Sequence, residues 1–163
     1  MVAMNKILQT FFKKIQKLNN SPEKTTLLNQ IIENQKQLFT QCINNSKSGS
    51  VWNCQINGLE IKSPVELLQT YPHCLQFNHQ GKFFYEIEIQ CAEWMKSHVQ
   101  QGDIVLDIGA AFGVVSLPLA AIVGEEGQVY AFEPAKRTQE LLKKVVNLNH
   151  FDNITILEFA ISD

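Results

Sequence analysis

The residues best suited to hold a nucleotide cofactor form a glycine-spaced loop with the sequence Asp107-Ile108-Gly109-Ala110-Ala111-Phe112-Gly113. The loop lies where an apolar run that predicts a buried strand gives way to a helical pattern. Gly109 and Gly113 permit a tight turn, and they let a ligand approach the peptide groups and the helix N-terminus without meeting a Cβ. Glycine is also common in turns that bind nothing, so the loop alone leaves a purely structural interpretation open.

Two carboxylates beside this loop narrow the class of ligand. Glu133 ends the next predicted strand, in Ala131-Phe132-Glu133-Pro134, where a carboxylate can accept hydrogen bonds from both ribose hydroxyls of an adenosine. Asp107 lies just before the first loop glycine, where it would repel a pyrophosphate but attract the ammonium and sulfonium of S-adenosylmethionine. The loop also departs from G-x-G-x-x-G at Ala111. These features favour S-adenosylmethionine over NAD.

The segments around these residues alternate between strand and helix patterns. Strands are predicted at 104–108, 128–132 and 154–161, and helices at 86–99, 113–123 and 135–149. The apolar run at 104–108 lacks polar alternation, as in strands that are buried on both faces of a parallel sheet. The alternation predicts an α/β fold with a Rossmann-like, doubly wound parallel sheet over residues 85–163.

Residues 1–48 are rich in Asn, Gln and Lys and carry two runs of apolar residues at helical spacing. The runs are separated by Asn19-Asn20-Ser21-Pro22-Glu23, in which Ser21 can serve as N-cap and Pro22 as the first residue of the second helix. This pattern predicts a helical hairpin. Its apolar seam could pack on the rest of the chain or support self-association with a second copy.

Residues 49–84 are predicted to form an accessory unit between the helices and the parallel sheet. Apolar and polar residues flank Asn57-Gly58, which is a strong signal for a two-residue β-hairpin turn. Ser63-Pro64-Val65-Glu66 then predicts the start of a short helix, with Ser63 as N-cap and Glu66 completing a capping box.

The charge balance limits the partners that we expect. The chain has 163 residues, with 14 basic and 16 acidic side chains and a net charge of −2, and Arg137 is its only arginine. Proteins that bind nucleic acid or anionic membranes usually carry a basic excess. We therefore expect neither nucleic acid nor a membrane as partner, and a small molecule or glycan as substrate.

The cysteines and histidines give no sign of a metal site. Four well-separated cysteines (Cys42, Cys54, Cys74 and Cys91) form no C-x-x-C pair, which favours buried thiols in a reducing cytosol. The four histidines share no metal-ligand spacing. Since no signal peptide or membrane span is predicted either, we expect a cytoplasmic protein without a metal ion.

Four stretches together resemble the FkbM family of class I methyltransferases. They are GDIVLDIGAAFG at 102–113, VYAFEP at 129–134, NLN at 147–149 and ILEFAISD at 156–163. The resemblance covers residues 85–163, about half of the chain. It implies S-adenosylmethionine as cofactor and methylation of a hydroxyl on a sugar, polyketide or similar metabolite. The family often has asparagine where Ala111 stands.

The resemblance also implies a role for each matched residue. Asp107 and the backbone from Gly109 to Gly113 would hold the methionine end of the cofactor, and Glu133 would hold the ribose. Ala160 and Ile161 would lie beside the adenine. The candidate cofactor site is therefore Asp107, Gly109, Ala110, Ala111, Phe112, Gly113, Glu133, Pro134, Ala160 and Ile161. No residue is identified as a catalytic base.

The sheet that the resemblance implies has more strands than the three predicted here. We therefore expect this sequence to be the cofactor-binding half of a longer enzyme, with 104–108 left as an exposed apolar edge and no activity of its own. Two other functions remain open. One is a catalytically inactive interaction protein that uses its N-terminal helices, and the other is an NAD-dependent oxidoreductase, which Asp107 and Ala111 oppose.

Overall fold

The computed structural model describes residues 22–71, 75–77, 83–85 and 89–162. The helices are α1 (Pro22–Asn44), α2 (Val65–Thr70), α3 (Ile89–His98), α4 (Ser116–Val123) and α5 (Lys136–Asn149). The strands are β1 (Val51–Ile56), β2 (Leu59–Pro64), β3 (Leu75–Phe77), β4 (Phe83–Tyr85), β5 (Ile104–Ile108), β6 (Gln128–Phe132) and β7 (Ile154–Leu157). The predicted α/β class is confirmed.

The C-terminal part contains a parallel sheet in the order β5-β6-β7, as the alternation of patterns predicts. Asp107 is paired in register with Ala131, so the loop after β5 and the segment after β6 leave the sheet at the same edge. In parallel α/β sheets this carboxyl edge is where ligands bind. The face that carries Val129 and Ala131 is fully buried, with both side chains 0% exposed.

The other face of β5 is open. Ile104, Leu106 and Ile108 are 72%, 58% and 66% exposed, while Val105 and Asp107 between them face the covered side. Strand β5 lies at the edge of the described sheet, and helix α4 packs against β5 and β6. The exposed apolar edge expected from the sequence is present, whereas burial of the strand on both faces is not seen in the described residues.

A second sheet, which the sequence predicted only in part, has the order β2-β1-β4-β3. The expected hairpin β1–β2 is antiparallel around Asn57-Gly58. Strand β4 adds to β1 in parallel, with Gln55 opposite Phe84, and β3 pairs with β4. The short strands β3 and β4 carry no local signal comparable to the Asn-Gly turn, so neither was predicted.

Element ends differ from the prediction on either side of the loop. Helix α4 begins at Ser116 rather than at residue 113, because turns occupy 111–115. Strand β7 ends at Leu157 rather than at residue 161. Its last backbone hydrogen bond runs from Glu133 N to Leu157 O at 3.0 Å, after which the chain following β6 turns away and offers no further partner.

The predicted cap of α2 is wrong in detail. Strand β2 continues through Ser63 to Pro64, and α2 begins at Val65 without a side-chain cap. Glu66 instead accepts hydrogen bonds from Ser48 Oγ at 2.7 Å and Gly49 N at 2.9 Å. These bonds, led by the Ser48 hydroxyl, lower the pKa of Glu66. The carboxylate thus ties the connection after α1 to α2.

Of the two helices predicted at residues 1–48, the described residues contain the second. Helix α1 corresponds to the second predicted helix, and Phe39 and Ile43 near its end join the core. The first predicted helix and the proposed cap Ser21 lie outside the described residues. Cys54 is buried, but Cys42 is exposed on α1, which corrects the expectation of buried thiols. No helix in the described part of the chain has the length and apolar character needed to cross a bilayer.

The two sheets are joined through the C-terminal end of α5. Asn149 Oδ1 accepts a hydrogen bond from Lys62 N at 2.7 Å, and Asn149 Nδ2 donates to Lys62 O at 2.8 Å. A side-chain amide therefore binds the open edge of β2 as a neighbouring strand would. Buried residues from both sheets belong to one continuous apolar core.

Replacement of Asn149 by alanine is expected to lower the free energy of unfolding by about 1–2 kcal/mol, because both hydrogen bonds to Lys62 are lost. Urea denaturation followed by circular dichroism measures this change. Asn147→Ala is the matched control, since Asn147 is an exposed asparagine on the same helix. Equal effects of the two substitutions would show that Asn149 does not join the sheets.

Candidate functional site

The loop between β5 and α4 is folded back on the end of β6. Gly109 N and Ala110 N both donate to Phe132 O at 2.9 Å, and Gly113 N donates to Ala110 O at 2.8 Å. Gly109 has a φ of +83°, and a Cβ at this position would meet no atom within 4 Å. The space in front of Gly109 is therefore free of described protein atoms, and its use by a ligand stays a prediction.

Gly113 serves a different purpose from the one predicted. It is buried with a φ of +95°, and a Cβ there would lie 2.8 Å from Leu142 Cδ1 and 3.2 Å from Leu117 Cγ. The missing side chain lets the loop pack against α5 and α4. Gly113 thus contributes to packing of the loop, and it does not open a path to a ligand.

Glu133 is a buried carboxylate, 7% exposed, at the end of β6. Its Oε2 accepts a hydrogen bond from Ala111 N at 2.9 Å, and its Oε1 accepts one from Ala135 N at 2.8 Å. Ala111 has a φ of +49°, which side-chain-bearing residues rarely adopt. Glu133 therefore holds the centre of the loop, and each of its oxygens retains a lone pair for a ligand hydroxyl.

Asp107, 8% exposed, lies near the end of β5, directly before the loop. Ser116 Oγ, at the first residue of α4, donates a hydrogen bond to Asp107 Oδ2 at 2.5 Å. A buried carboxylate attracts a cationic group strongly, because little water screens it. Asp107 and Glu133 are therefore two buried carboxylates near the ends of neighbouring strands, one directly before the loop and one bonded to its centre.

The other predicted site residues lie around this centre in two groups. Ala110 and Phe112 are buried, and the Phe112 ring packs on Tyr71 with their centroids 4.6 Å apart, so their side chains support the loop from within the core. Exposed positions are occupied by Pro134 after Glu133 and by Ala160 and Ile161 after β7. The place of Ala160 and Ile161 beside an adenine stays a prediction.

Three residues of the site were not found from the sequence. Ser116 is fully buried, and Gln139 Nε2 donates to Glu133 O at 2.6 Å from a 5% exposed side chain. Asn57, in the hairpin turn, donates to Val114 O at 3.4 Å. A signal existed for two of them, because Ser116 is a lone polar residue in an apolar helix and Gln139 shares helical spacing with Leu142.

The arrangement fits a ligand with a cation and a pair of hydroxyls. Two buried carboxylates flank the loop, whereas the N–H groups of Gly109, Ala110, Ala111 and Gly113 are already used within the protein. The loop can offer backbone carbonyl oxygens to a ligand that approaches closely. Carbonyl oxygens carry partial negative charge, so they bind an ammonium better than a phosphate. Within the described residues, no group of three or more His, Cys, Asp or Glu side chains is arranged to hold a metal ion.

Two curated relatives match this chain. Both are assigned as the decarboxylating cobalt-precorrin-6B C(15)-methyltransferase, from Sulfurisphaera tokodaii at 35% identity and from Sulfolobus acidocaldarius at 37% identity, each over 71 residues. The match covers 44% of this chain and 37% of each relative. The chain therefore spans little more than a third of the proteins it resembles. No protein-family model matches it.

Solved structures with similar coordinates include one from Clostridium thermocellum and one from Aeropyrum pernix. One, from Clostridium thermocellum, is described as an rRNA methylase, with 28% identity over 44% of this chain and 40% of its own and a TM-score of 0.41. The other is Aeropyrum pernix fibrillarin with natively bound S-adenosyl-L-methionine, with 21% identity over 64% of this chain and 49% of its own and a TM-score of 0.39.

The first of these structures contradicts the exclusion of nucleic acid as a partner, which was drawn from the net charge. That prediction averaged charge over the whole chain, whereas phosphate binding depends on local clustering of basic side chains. Helix α5 carries four exposed basic residues, Lys136, Arg137, Lys143 and Lys144, although the chain has a net charge of −2.

Proposed function

We propose that this chain is the S-adenosylmethionine-binding part of a methyltransferase. The observation that carries the proposal is a pair of buried carboxylates at the carboxyl edge of a parallel sheet: Asp107 directly before an open glycine loop, and Glu133 bonded to the centre of that loop. The names of the curated relatives support methyl transfer. Ligands of α/β sheets bind at this edge.

Each carboxylate has a distinct task in this proposal. Glu133 accepts hydrogen bonds from the two ribose hydroxyls, and it holds the loop in place by accepting a hydrogen bond from Ala111 N. Asp107, together with loop carbonyl oxygens, binds the ammonium of the methionine end. The bound cofactor supplies a methyl group on a sulfonium, and this chain contributes by fixing the cofactor in one orientation relative to the acceptor.

The acceptor class that we propose is a hydroxyl on a sugar or small metabolite, as in the FkbM family. The support is the combination of the loop, Ala-Phe-Glu-Pro at 131–134 and Ala-Ile-Ser at 160–162.

The proposal also divides the chain into three parts: a helical hairpin at 1–48, an accessory unit at 49–84 and the cofactor domain at 85–163. A cytoplasmic location fits the reduced thiols of Cys42 and Cys54.

A second candidate is methylation of a carbon atom on a tetrapyrrole. It is favoured by the curated relatives, whose assigned reaction is C(15) methylation of a cobalt-precorrin. The two candidates share the cofactor and the roles of Asp107 and Glu133. They differ only in the acceptor, to which no described residue of this chain is assigned.

Binding of two adenosine ligands to the wild type and to Asp107→Asn tests these assignments. S-adenosylhomocysteine carries the ammonium of the methionine end, whereas 5′-methylthioadenosine lacks it. Asp107→Asn is expected to weaken S-adenosylhomocysteine about tenfold, the value of one charge-assisted contact, and to leave 5′-methylthioadenosine unchanged. Equal losses for both ligands, or none, would remove Asp107 from the cofactor site.

A further inference from the structure

The peptide bond between Glu133 and Pro134 has one group that can form a hydrogen bond. Proline carries no backbone N–H, so the carbonyl oxygen of Glu133 is that group. Glu133 O accepts a hydrogen bond from Gln139 Nε2 at 2.6 Å, and both residues are buried, at 7% and 5% exposed. The orientation of this peptide is therefore tied to a side chain of α5.

Gln139 lies in the first turn of α5, where its own backbone is held in place. Its N–H donates a hydrogen bond to Ala135 O at 3.0 Å. Ala135 is the N-cap residue of α5 and provides no side-chain cap, while its N–H donates to Glu133 Oε1 at 2.8 Å. Together with the bond from Gln139 Nε2, these bonds form a closed ring through Glu133, Ala135 and Gln139, similar to the reciprocal bonds of a capping box.

This ring bears on the direction of the Glu133 carboxylate. Before the carboxylate, Glu133 N donates to Leu157 O at 3.0 Å, which ties the end of β6 to β7. After it, the chain enters Pro134, whose φ is restricted by its own ring. The dihedral between these two anchors is ψ of Glu133. The bond from Gln139 Nε2 to the Glu133 carbonyl restrains that dihedral.

We propose that Gln139 is a positioning residue, which holds the Glu133 carboxylate in the orientation that receives the ribose hydroxyls. The inference rests on the proposed function, and Gln139 itself touches no part of the cofactor in it. Within the described part of the chain, Gln139 is the one side chain that donates to Glu133, whose carboxylate oxygens accept from Ala111 N and Ala135 N. Those two bonds can still form without Gln139, so we expect a smaller fraction of correctly oriented carboxylate and a correspondingly weaker affinity.

A double-mutant cycle tests whether Gln139 acts through Glu133. Gln139→Met removes the donor and keeps an unbranched side chain of similar length, and it is measured alone and together with Glu133→Ala. In calorimetric titrations of the whole chain with S-adenosylhomocysteine, Gln139→Met is expected to weaken binding about tenfold when alone and less than about twofold beside Glu133→Ala. Equal losses in both backgrounds would reveal a general structural role, and no loss for Gln139→Met alone would remove Gln139 from the site. Either result would overturn the proposal.

Amide hydrogen exchange followed by NMR gives a second readout, which needs no ligand. Ala111 N and Ala135 N both donate to the Glu133 carboxylate, so both are expected to exchange about tenfold faster in Gln139→Met. Val129 N, which is bonded at 2.9 Å to the chain before β7, is the internal control and is expected to stay unchanged. Unchanged exchange at Ala111 and Ala135, or faster exchange at all three amides, would contradict the positioning role. If the wild type did not bind S-adenosylhomocysteine, the proposed function and the ribose role would both be wrong, whereas the exchange rates would still decide whether Gln139 orients Glu133.

Discussion

Glu133→Ala is expected to weaken the binding of S-adenosylhomocysteine about a hundredfold or more. Two ribose hydroxyls lose a charged acceptor, and each such bond contributes about 1.5–3 kcal/mol. The substitution also frees Ala111 N, which Glu133 Oε2 holds at 2.9 Å, so the loop loses its central restraint. Isothermal titration calorimetry at neutral pH measures the affinity, and circular dichroism checks that the variant is folded.

Two further variants separate the ribose contact from the effects of charge removal elsewhere. Glu133→Gln keeps the shape but turns one acceptor into an NH2 group that faces Ala111 N or Ala135 N, so an intermediate affinity is expected. Glu140→Ala removes an exposed glutamate from the same end of the domain and is expected to change nothing. Glu133→Ala binding within threefold of wild type would show that the ribose is held by another residue.

Gly113→Ala is expected to give the largest loss of stability, about 2–5 kcal/mol. A left-handed backbone costs an alanine about 1–2 kcal/mol, and overpacking of a core site adds about 1–3 kcal/mol. The added Cβ would lie 2.8 Å from Leu142 Cδ1. Urea unfolding followed by intrinsic fluorescence measures the change.

The matched control is Gly58→Ala in the hairpin turn. Gly58 has a φ of +87°, close to that of Gly113, but a Cβ there would meet no atom within 4 Å. The control therefore carries the backbone cost without the collision, and its loss is expected to be about 1–2 kcal/mol. Similar losses in the two variants would mean that α5 does not pack on the loop as the structure shows.

The features that were predicted correctly from the sequence depend on residues that are close together in the chain. The apolar run at 104–108, the glycines of the loop and the carboxylate at 133 are local signals, and parallel pairing of β5 with β6 brings them to one edge. Asn57-Gly58 fixed the hairpin in the same way, because the turn type depends on those two residues. The residues proposed to bind the cofactor lie in the same short segments.

The features that were missed depend on residues far apart in the chain. Strand β4 exists because it pairs with β1, which places Gln55 opposite Phe84. Glu66 follows a helix-start pattern, yet the carboxylate binds Ser48 and Gly49 from the segment after α1. Gly113 was predicted to face a ligand, but in the structure a Cβ at Gly113 would collide with Leu142 of α5. Short-range patterns cannot reveal such contacts.

The measurement that tests the proposed function most directly is calorimetric titration of the wild-type chain with S-adenosylhomocysteine, with NAD titrated in parallel. Saturable binding of S-adenosylhomocysteine with one site per chain, and no heat from NAD, is the expected result. NAD binding would identify the loop as a dinucleotide site and contradict the role assigned to Asp107. A folded chain that binds neither ligand would show that Asp107 and Glu133 only stabilise the loop, and that this part of the chain is not a cofactor domain.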